Sequence, residues 1–249
     1  MFGSKKCIVR TYFFACISIF LLADRSEAMS VTPLTAELSA SGQNNKTTLR
    51  VHNDSASPIP VEVSSSKLTV AEDGTLTNVP VKDKFRIYPP QATIPAGASQ
   101  SFRVLWLGDP NLKASESYAL SVDQLPVELD KKKNGVQVVF NFAVIINVAP
   151  VNAKPAISVV KADISKGSSQ GNEPVITLQN SGNGHALLGD GSLVLTSGAW
   201  TKTVAGEEIR KLFGLGLIQP GTKRRFKLAM PLPPAISRYD VQVELKRPR

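Results

Sequence analysis

NGVQVVFNFAVIINV, residues Asn134–Val148, is uncharged and free of proline. Read as a strand, its successive side chains point to opposite faces. One face then carries Val136, Val138, Phe140, Phe142, Val144 and Ile146, and the other carries Gln137, Val139, Asn141, Ala143, Ile145 and Asn147. β-Branched and aromatic residues suit a pleated, half-buried surface. Lys131–Lys133 precede the stretch and Pro150 ends it. A strand this long is unusual in a small domain. Either it is a central strand covered on both faces, or part of it offers an apolar row to another protein.

Outward from this stretch the chain reads as short alternating segments set off by turns. Upstream, Thr48–His52, Pro60–Ser64, Phe85–Tyr88, Ser101–Leu107 and Tyr118–Leu125 alternate. Phe102, Val104 and Trp106 share one face, and so do Tyr118, Leu120 and Val122. Glu72-Asp73-Gly74 predicts a hairpin turn and Ile94-Pro95-Ala96-Gly97 a Pro/Gly turn. Turns every eight to twelve residues predict an antiparallel sandwich. Ala149–Pro155 has two prolines and reads as a hinge between domains. Downstream, Ile157–Ile164, Val175–Leu178, Ala186–Leu188, Leu193–Thr196, Phe226–Met230 and Val241–Leu245 repeat the style, and Gly206–Leu212 predicts one or two turns of helix. Ile218-Gln219-Pro220-Gly221 parallels Ile94-Pro95-Ala96-Gly97, each before a strand. The expected fold is all-β, with two related sandwiches in tandem over 29–150 and 151–249.

Residues 1–28 read as a cleaved signal peptide. Lys5, Lys6 and Arg10 precede the apolar Thr11–Ala23, and Ser26-Glu27-Ala28 is a small-x-small cleavage site. Cys16 lies inside the apolar run, which argues against a lipoprotein. The run is short for a membrane span, so no membrane insertion of the mature chain is expected. Cys7 and Cys16 are the two cysteines, and both precede the cleavage site. The exported part therefore has neither a disulfide nor a thiolate metal site and is held by core burial. It carries 25 basic and 18 acidic side chains, a net +7. No segment interleaves aromatics with a basic cluster, so no nucleic-acid partner is expected.

Catalytic chemistry is not legible. His52 and His185 stand far apart, and His52 reads as an exposed or hydrogen-bonded strand residue. No HExxH, GxSxG, Walker or GxGxxG pattern occurs. Asp109, Glu116 and Asp123 do not suggest an acid–base pair, and the Asp/Asn/Gly turns lack the acidic density of a calcium loop. Neither an enzyme nor a cofactor is expected.

FRIYPPQATIPAGASQSFRVLW (85–106), ESYALSVDQLPVE (116–128) and the long apolar strand ending in Pro150 resemble, in that order, the N-terminal domain of the periplasmic chaperones of chaperone–usher pilus assembly. LQNSGNGHALLGDGSLVL (178–195) and LGLIQPGTKRRFKL (215–228) are similar to the family's C-terminal domain. The resemblance implies two immunoglobulin-like sandwiches set like a boomerang. It also implies a periplasmic protein that binds pilin subunits and delivers them to an outer-membrane usher. The implied mechanism is donor-strand complementation, in which the chaperone fills the groove of a subunit that lacks a strand. With Pro150 as anchor, the lent row is Val136, Val138, Phe140 and Phe142, and Val144–Val148 belongs to the chaperone's own core. An exposed apolar edge also suggests a self-capping homodimer.

Two positions depart from the resemblance. Most members hold the subunit's terminal carboxylate with an Arg on the first strand and a Lys on the donor strand. Here the corresponding residues are Glu37 and Ile145. This fits a divergent branch, similar to the alternative or archaic pilus systems. Arg103 is a candidate substitute, and its structural reading is an ion pair with Glu116 near the domain interface. The competing reading of the whole chain is a two-domain surface or adhesive protein, in which the apolar strand is ordinary core.

Overall fold

A computed structural model describes residues 29–126, 138–167 and 171–245. Among the described residues ten strands precede Pro150: β1 (Met29–Thr32), β2 (Thr35–Ser39), β3 (Lys46–Asn53), β4 (Ile59–Val70), β5 (Leu76–Pro80), β6 (Phe85–Tyr88), β7 (Gln91–Ile94), β8 (Ser99–Trp106), β9 (Glu116–Gln124) and β10 (Asn141–Ala149). They form two sheets, ordered β1-β3-β8-β6 and β2-β10-β9-β4-β5, with β7 also on β4. The predicted alternation does the packing. Leu49 and Val51 from β3, Phe102 and Val104 from β8, Tyr118, Leu120 and Val122 from β9, and Val144, Ile146 and Val148 from β10 meet in one buried core. Phe85, Trp106 and Tyr118 stack edge-on with ring centroids 5.0–5.4 Å apart, a favoured aromatic geometry.

The remaining strands are β11 (Ile157–Lys166), β12 (Asn172–Asn180), β13 (Ala186–Leu187), β14 (Ser192–Ser197), β15 (Trp200–Ala205), β16 (Leu217–Ile218), β17 (Lys223–Lys227) and β18 (Asp240–Glu244). They pair as β11-β12-β17, β13-β16 and β15-β14-β18. Ile176, Leu178, Leu193, Leu195, Phe226 and Leu228 fill a second core. An α-helix, α1 (Gly206–Phe213), buries Ile209. Eight residues are too few for a helix stable alone, so that burial holds it. Acidic residues in its first turn and basic ones in its last suit the helix dipole. Gly214, at φ 62°, ends it.

The protein is all-β, two sandwiches in tandem, as expected. Six strands have no counterpart among the predicted ones: β1, β2, β5, β7, β15 and β16. β1 and β2 are short, and all five residues of β5 are exposed, so β5 offers no buried row to detect. The predicted long strand is shorter than its apolar pattern. β10 begins at Asn141, because β9 ends at Gln124, just before Pro126. One further ladder bond, from Gln124 N–H to Phe140 C=O at 2.9 Å, continues past the strand's start.

Candidate functional site: the open edge of β10 and the cleft beside it

β10 pairs along its whole length with β9 on one side, from Asn141↔Asp123 to Val148↔Glu116. On the other side β2 covers only Ile145–Ala149, in parallel. Ile145 N–H donates to Leu34 C=O at 3.0 Å, while Phe140 C=O faces β9. Backbone groups alternate in direction along a strand, so those of Asn141 and Ala143 point to the side where β2 is missing. Among the described residues no strand covers them. This is an edge open to pairing by an added strand.

The row expected to be lent divides into parts. Val138 is 62% exposed and Val139 46% exposed. Phe140 and Phe142 are half-buried and lean on the first core. Val144, Ile146 and Val148 are fully buried. Val136 lies outside the described residues. The exposed end and the core end are therefore one continuous row of side chains, graded from solvent to interior.

The face of this sheet turned away from the first core forms one wall of a cleft. Registration sets its rungs: Glu62–Asp123–Asn141, then Ser64–Ser121–Ala143, then Ser66–Ala119–Ile145, then Ser117–Asn147–Glu37. The second sandwich covers the lower rungs. Leu68 and Val70 of β4 pack with Leu217, Ile145 and Leu187. β4 thus turns its apolar side inward with Val61 and Val63, then outward with Leu68 and Val70. The Gln219 amide donates to Leu68 C=O at 2.9 Å and accepts from Val70 N–H at 3.0 Å. A cavity of about 390 Å³ lies between the sandwiches, lined in part by Lys67, Lys113, Ser115 and Gln219.

Glu37 and Ile145, the two residues found where basic ones were expected, stand on neighbouring strands of this wall. Glu37 Oε1 accepts from Asn147 Nδ2 at 2.9 Å, and its Oε2 lies 2.9 Å from His185 Nε2. Asn147 is buried and accepts from Ser117 Oγ at 2.7 Å. No sequence motif marks Asn147, Ser117, His185 or Gln219 as site residues, and the swap of apolar side in PVEVSSSKLTV (60–70) is the one signal that points to this seam.

Arg103 and Glu116 do not pair. Arg103 is exposed on β8, in the sheet opposite to that of Glu116, because Phe102 and Val104 alternate inward around it. Glu116 instead pairs with Lys67 and accepts from the Tyr118 hydroxyl. Burial would raise the Glu116 pKa, but the bonds from Lys67 and Tyr118 outweigh it and hold the carboxyl below its ordinary value. Burial, reinforced by Glu116, raises the Tyr118 phenol.

His52 Nδ1 lies 2.9 Å from Ser99 Oγ, and its Nε2 lies 3.0 Å from Asp54. A hydrolytic triad sets Nε2 toward its serine and Nδ1 toward its aspartate, the reverse of this arrangement. These three side chains sit on open strand surface, and the cleft and the hollow beside Trp200 are lined by other residues.

Residues 30–154 match the family model for the pili and flagellar-assembly chaperone, PapD N-terminal domain. The chain belongs to this family of assembly chaperones. Its fold is also that of solved pilus chaperones. The class 5 fimbriae chaperone CfaA is 17% identical with a TM-score of 0.53, over 88% of this chain and 100% of that one. A chain from the Salmonella enterica SafA pilin–SafB chaperone complex is 14% identical with a TM-score of 0.51, over 82% and 85%. A chain from the CsuC–CsuE chaperone–tip subunit complex of archaic Acinetobacter baumannii pili is 14% identical with a TM-score of 0.50, over 80% and 89%. No curated protein sequence matches the chain. In this chaperone the wall that carries the open edge holds Glu37 and Ile145 at the two places where basic residues were expected.

Proposed function

We propose that this chaperone binds pilin subunits in the periplasm by lending them β10, and passes them to an outer-membrane usher. The observation that carries the reading is the open edge at Asn141 and Ala143 beside the exposed Val138. An incoming strand gains main-chain bonds along that edge, and alternate side chains of the chaperone fill the subunit's groove. Burying Val138 with the rest of Phe140 and Phe142 contributes about 1.5–3 kcal/mol per fully buried side chain, before ordering costs. A signal peptide at 1–28, outside the described residues, supplies the export this role requires. Without a subunit, the same edge favours a self-capping pair of copies. The adhesive-protein reading requires the strand to be covered, and the exposure of Val138 counts against it.

The test is co-expression with a candidate pilin subunit, using chaperone carrying Val138→Asp. Val138 makes little contact with the chaperone's own core, so the variant folds. Loss of the co-purified subunit supports the reading, and full recovery of a stable complex overturns it.

A further inference from the structure

We infer that Glu37 and His185 form a latch that fixes the angle between the two sandwiches, making them positioning residues of the cleft. Both ends of the contact are held before it forms. Glu37 is oriented by Asn147, which Ser117 holds from behind. His185 arrives on a clamped segment: its own N–H donates to Ser115 Oγ at 3.2 Å, Ser115 N–H donates to Asn183 C=O at 2.8 Å, and Lys154 N–H donates to Asn183 Oδ1 at 3.0 Å. The imidazole side chain is only 11% exposed, whereas the Glu37 side chain is 52% exposed. Among the described residues, the buried His185 Nδ1 has no hydrogen-bond partner. A proton there would be a buried donor with no acceptor, which is costly. Nε2, 2.9 Å from Glu37 Oε2, is the ring nitrogen placed to donate across the contact.

The latch's place in the sheet gives it leverage. The strand order across the wall is β2-β10-β9-β4. Gln219 and the Leu68–Val70–Leu217 cluster fasten the β4 side, and Ser115 with Asn183 fastens the middle. Glu37–His185 fastens the β2 margin, about 14 Å from β4 at roughly 4.8 Å per strand. Without it, the sandwiches are free to tilt about the remaining attachments, as in hinge motions at packed interfaces. A subunit held on β10 would then meet a cleft of variable width. Only that last consequence rests on the donor-strand reading.

The experiment uses the free mature chain, residues 29–249, which has no cysteine of its own. Ser101→Cys and Thr201→Cys, both exposed and one on each sandwich, carry nitroxide labels for pulsed dipolar distance measurement. The native distribution is expected to be narrow. Glu37→Ala and His185→Leu should each broaden it about twofold, and His185→Gln, which keeps a side-chain N–H, should restore most of the native width. Two results overturn the latch: native width in both truncated variants, or broadening by His185→Gln equal to that by His185→Leu. Glu37 is half exposed, so Glu37→Ala leaves both cores intact, and amide exchange on β9 and β12 checks this. No subunit enters the measurement, so its outcome is independent of the Val138→Asp test.

Discussion

Asn53 and Asn180 are the same plug, set once in each sandwich. The Asn53 amide donates to Ser57 C=O at 2.8 Å and Ile94 C=O at 3.0 Å, and its Oδ1 accepts from Ser55 N–H at 2.9 Å. The Asn180 amide donates to Gly184 C=O at 2.7 Å and Ile218 C=O at 3.1 Å, and its Oδ1 accepts from Gly182 N–H at 3.0 Å. Both residues are fully buried. Each also takes the N–H of the turn glycine on its own backbone carbonyl, Gly97 at 2.9 Å and Gly221 at 2.8 Å. The Ile-Pro-Ala-Gly and Ile-Gln-Pro-Gly parallel in the sequence is thus a structural repeat.

Replacing either plug with alanine strands several buried backbone groups at once. At about 1–3 kcal/mol for each unsatisfied group, Asn53→Ala and Asn180→Ala should each cost about 3 kcal/mol or more. Urea denaturation checks this, and a cost below about 1 kcal/mol would show that water replaces the amide.

The Lys67–Glu116–Tyr118 contact gives an acid-side signature. The Glu116 carboxyl is held below its ordinary 4.5. A depressed carboxyl contributes stability that is present above the ordinary value and lost as pH falls through the folded one. Glu116→Gln should therefore cost about 1 kcal/mol at pH 7, and the difference from the native chain should shrink below pH 4.5. A difference that stays constant between pH 7 and 3 would mean that the pair does not titrate with folding.

Tyr239 gives the alkaline counterpart. Its hydroxyl donates to Asp163 C=O at 2.7 Å and to Val175 C=O at 3.0 Å, tying β11 to β12, and burial pushes its pKa from 10.0 up to about 12. A raised value means stability fully present below pH 10 and lost as pH rises toward the folded value. Tyr239→Phe should cost about 1–2 kcal/mol at pH 8, with the gap closing above pH 10 in chemical denaturation series.

The segment joining the sandwiches is seated by Gly182. A Cβ there would stand 2.3 Å from Lys154 C=O and 2.6 Å from Ala156 N. Both obstacles are backbone, so Gly182→Ala should displace the 154–156 segment and cost about 2 kcal/mol or more. Amide exchange should show the loss first at Ala156, whose N–H donates to Asn180 Oδ1 at 3.0 Å. Unchanged protection there would refute the close packing.

Much of the fold was legible because burial writes itself into local alternation. The rows Phe102–Val104–Trp106 and Tyr118–Leu120–Val122 are visible in the sequence and stand buried in the structure. β5 was not legible, since an exposed hairpin strand has no apolar face to announce it. The apolar character of Val138–Phe142 was readable, but the edge beside it was not, because where β2 stops covering β10 is a matter of sheet order. The pairing of Arg103 with Glu116 rested on the family resemblance, and alternation, which places each on a strand, does not say that the strands lie in opposite sheets. Glu37 and His185 belong to no motif and meet only when both sandwiches are in place.

The reversal of β4 has a calorimetric consequence. Val61 and Val63 belong to one core, while Leu68 and Val70, on the same strand, complete the seam with the other. Melting the first sandwich would strip that seam of half its apolar surface and remove the backbone groups that Gln219 binds. Two sandwiches joined only by a linker would show two heat-absorption peaks. Joined by a shared strand, they should absorb heat as one cooperative unit.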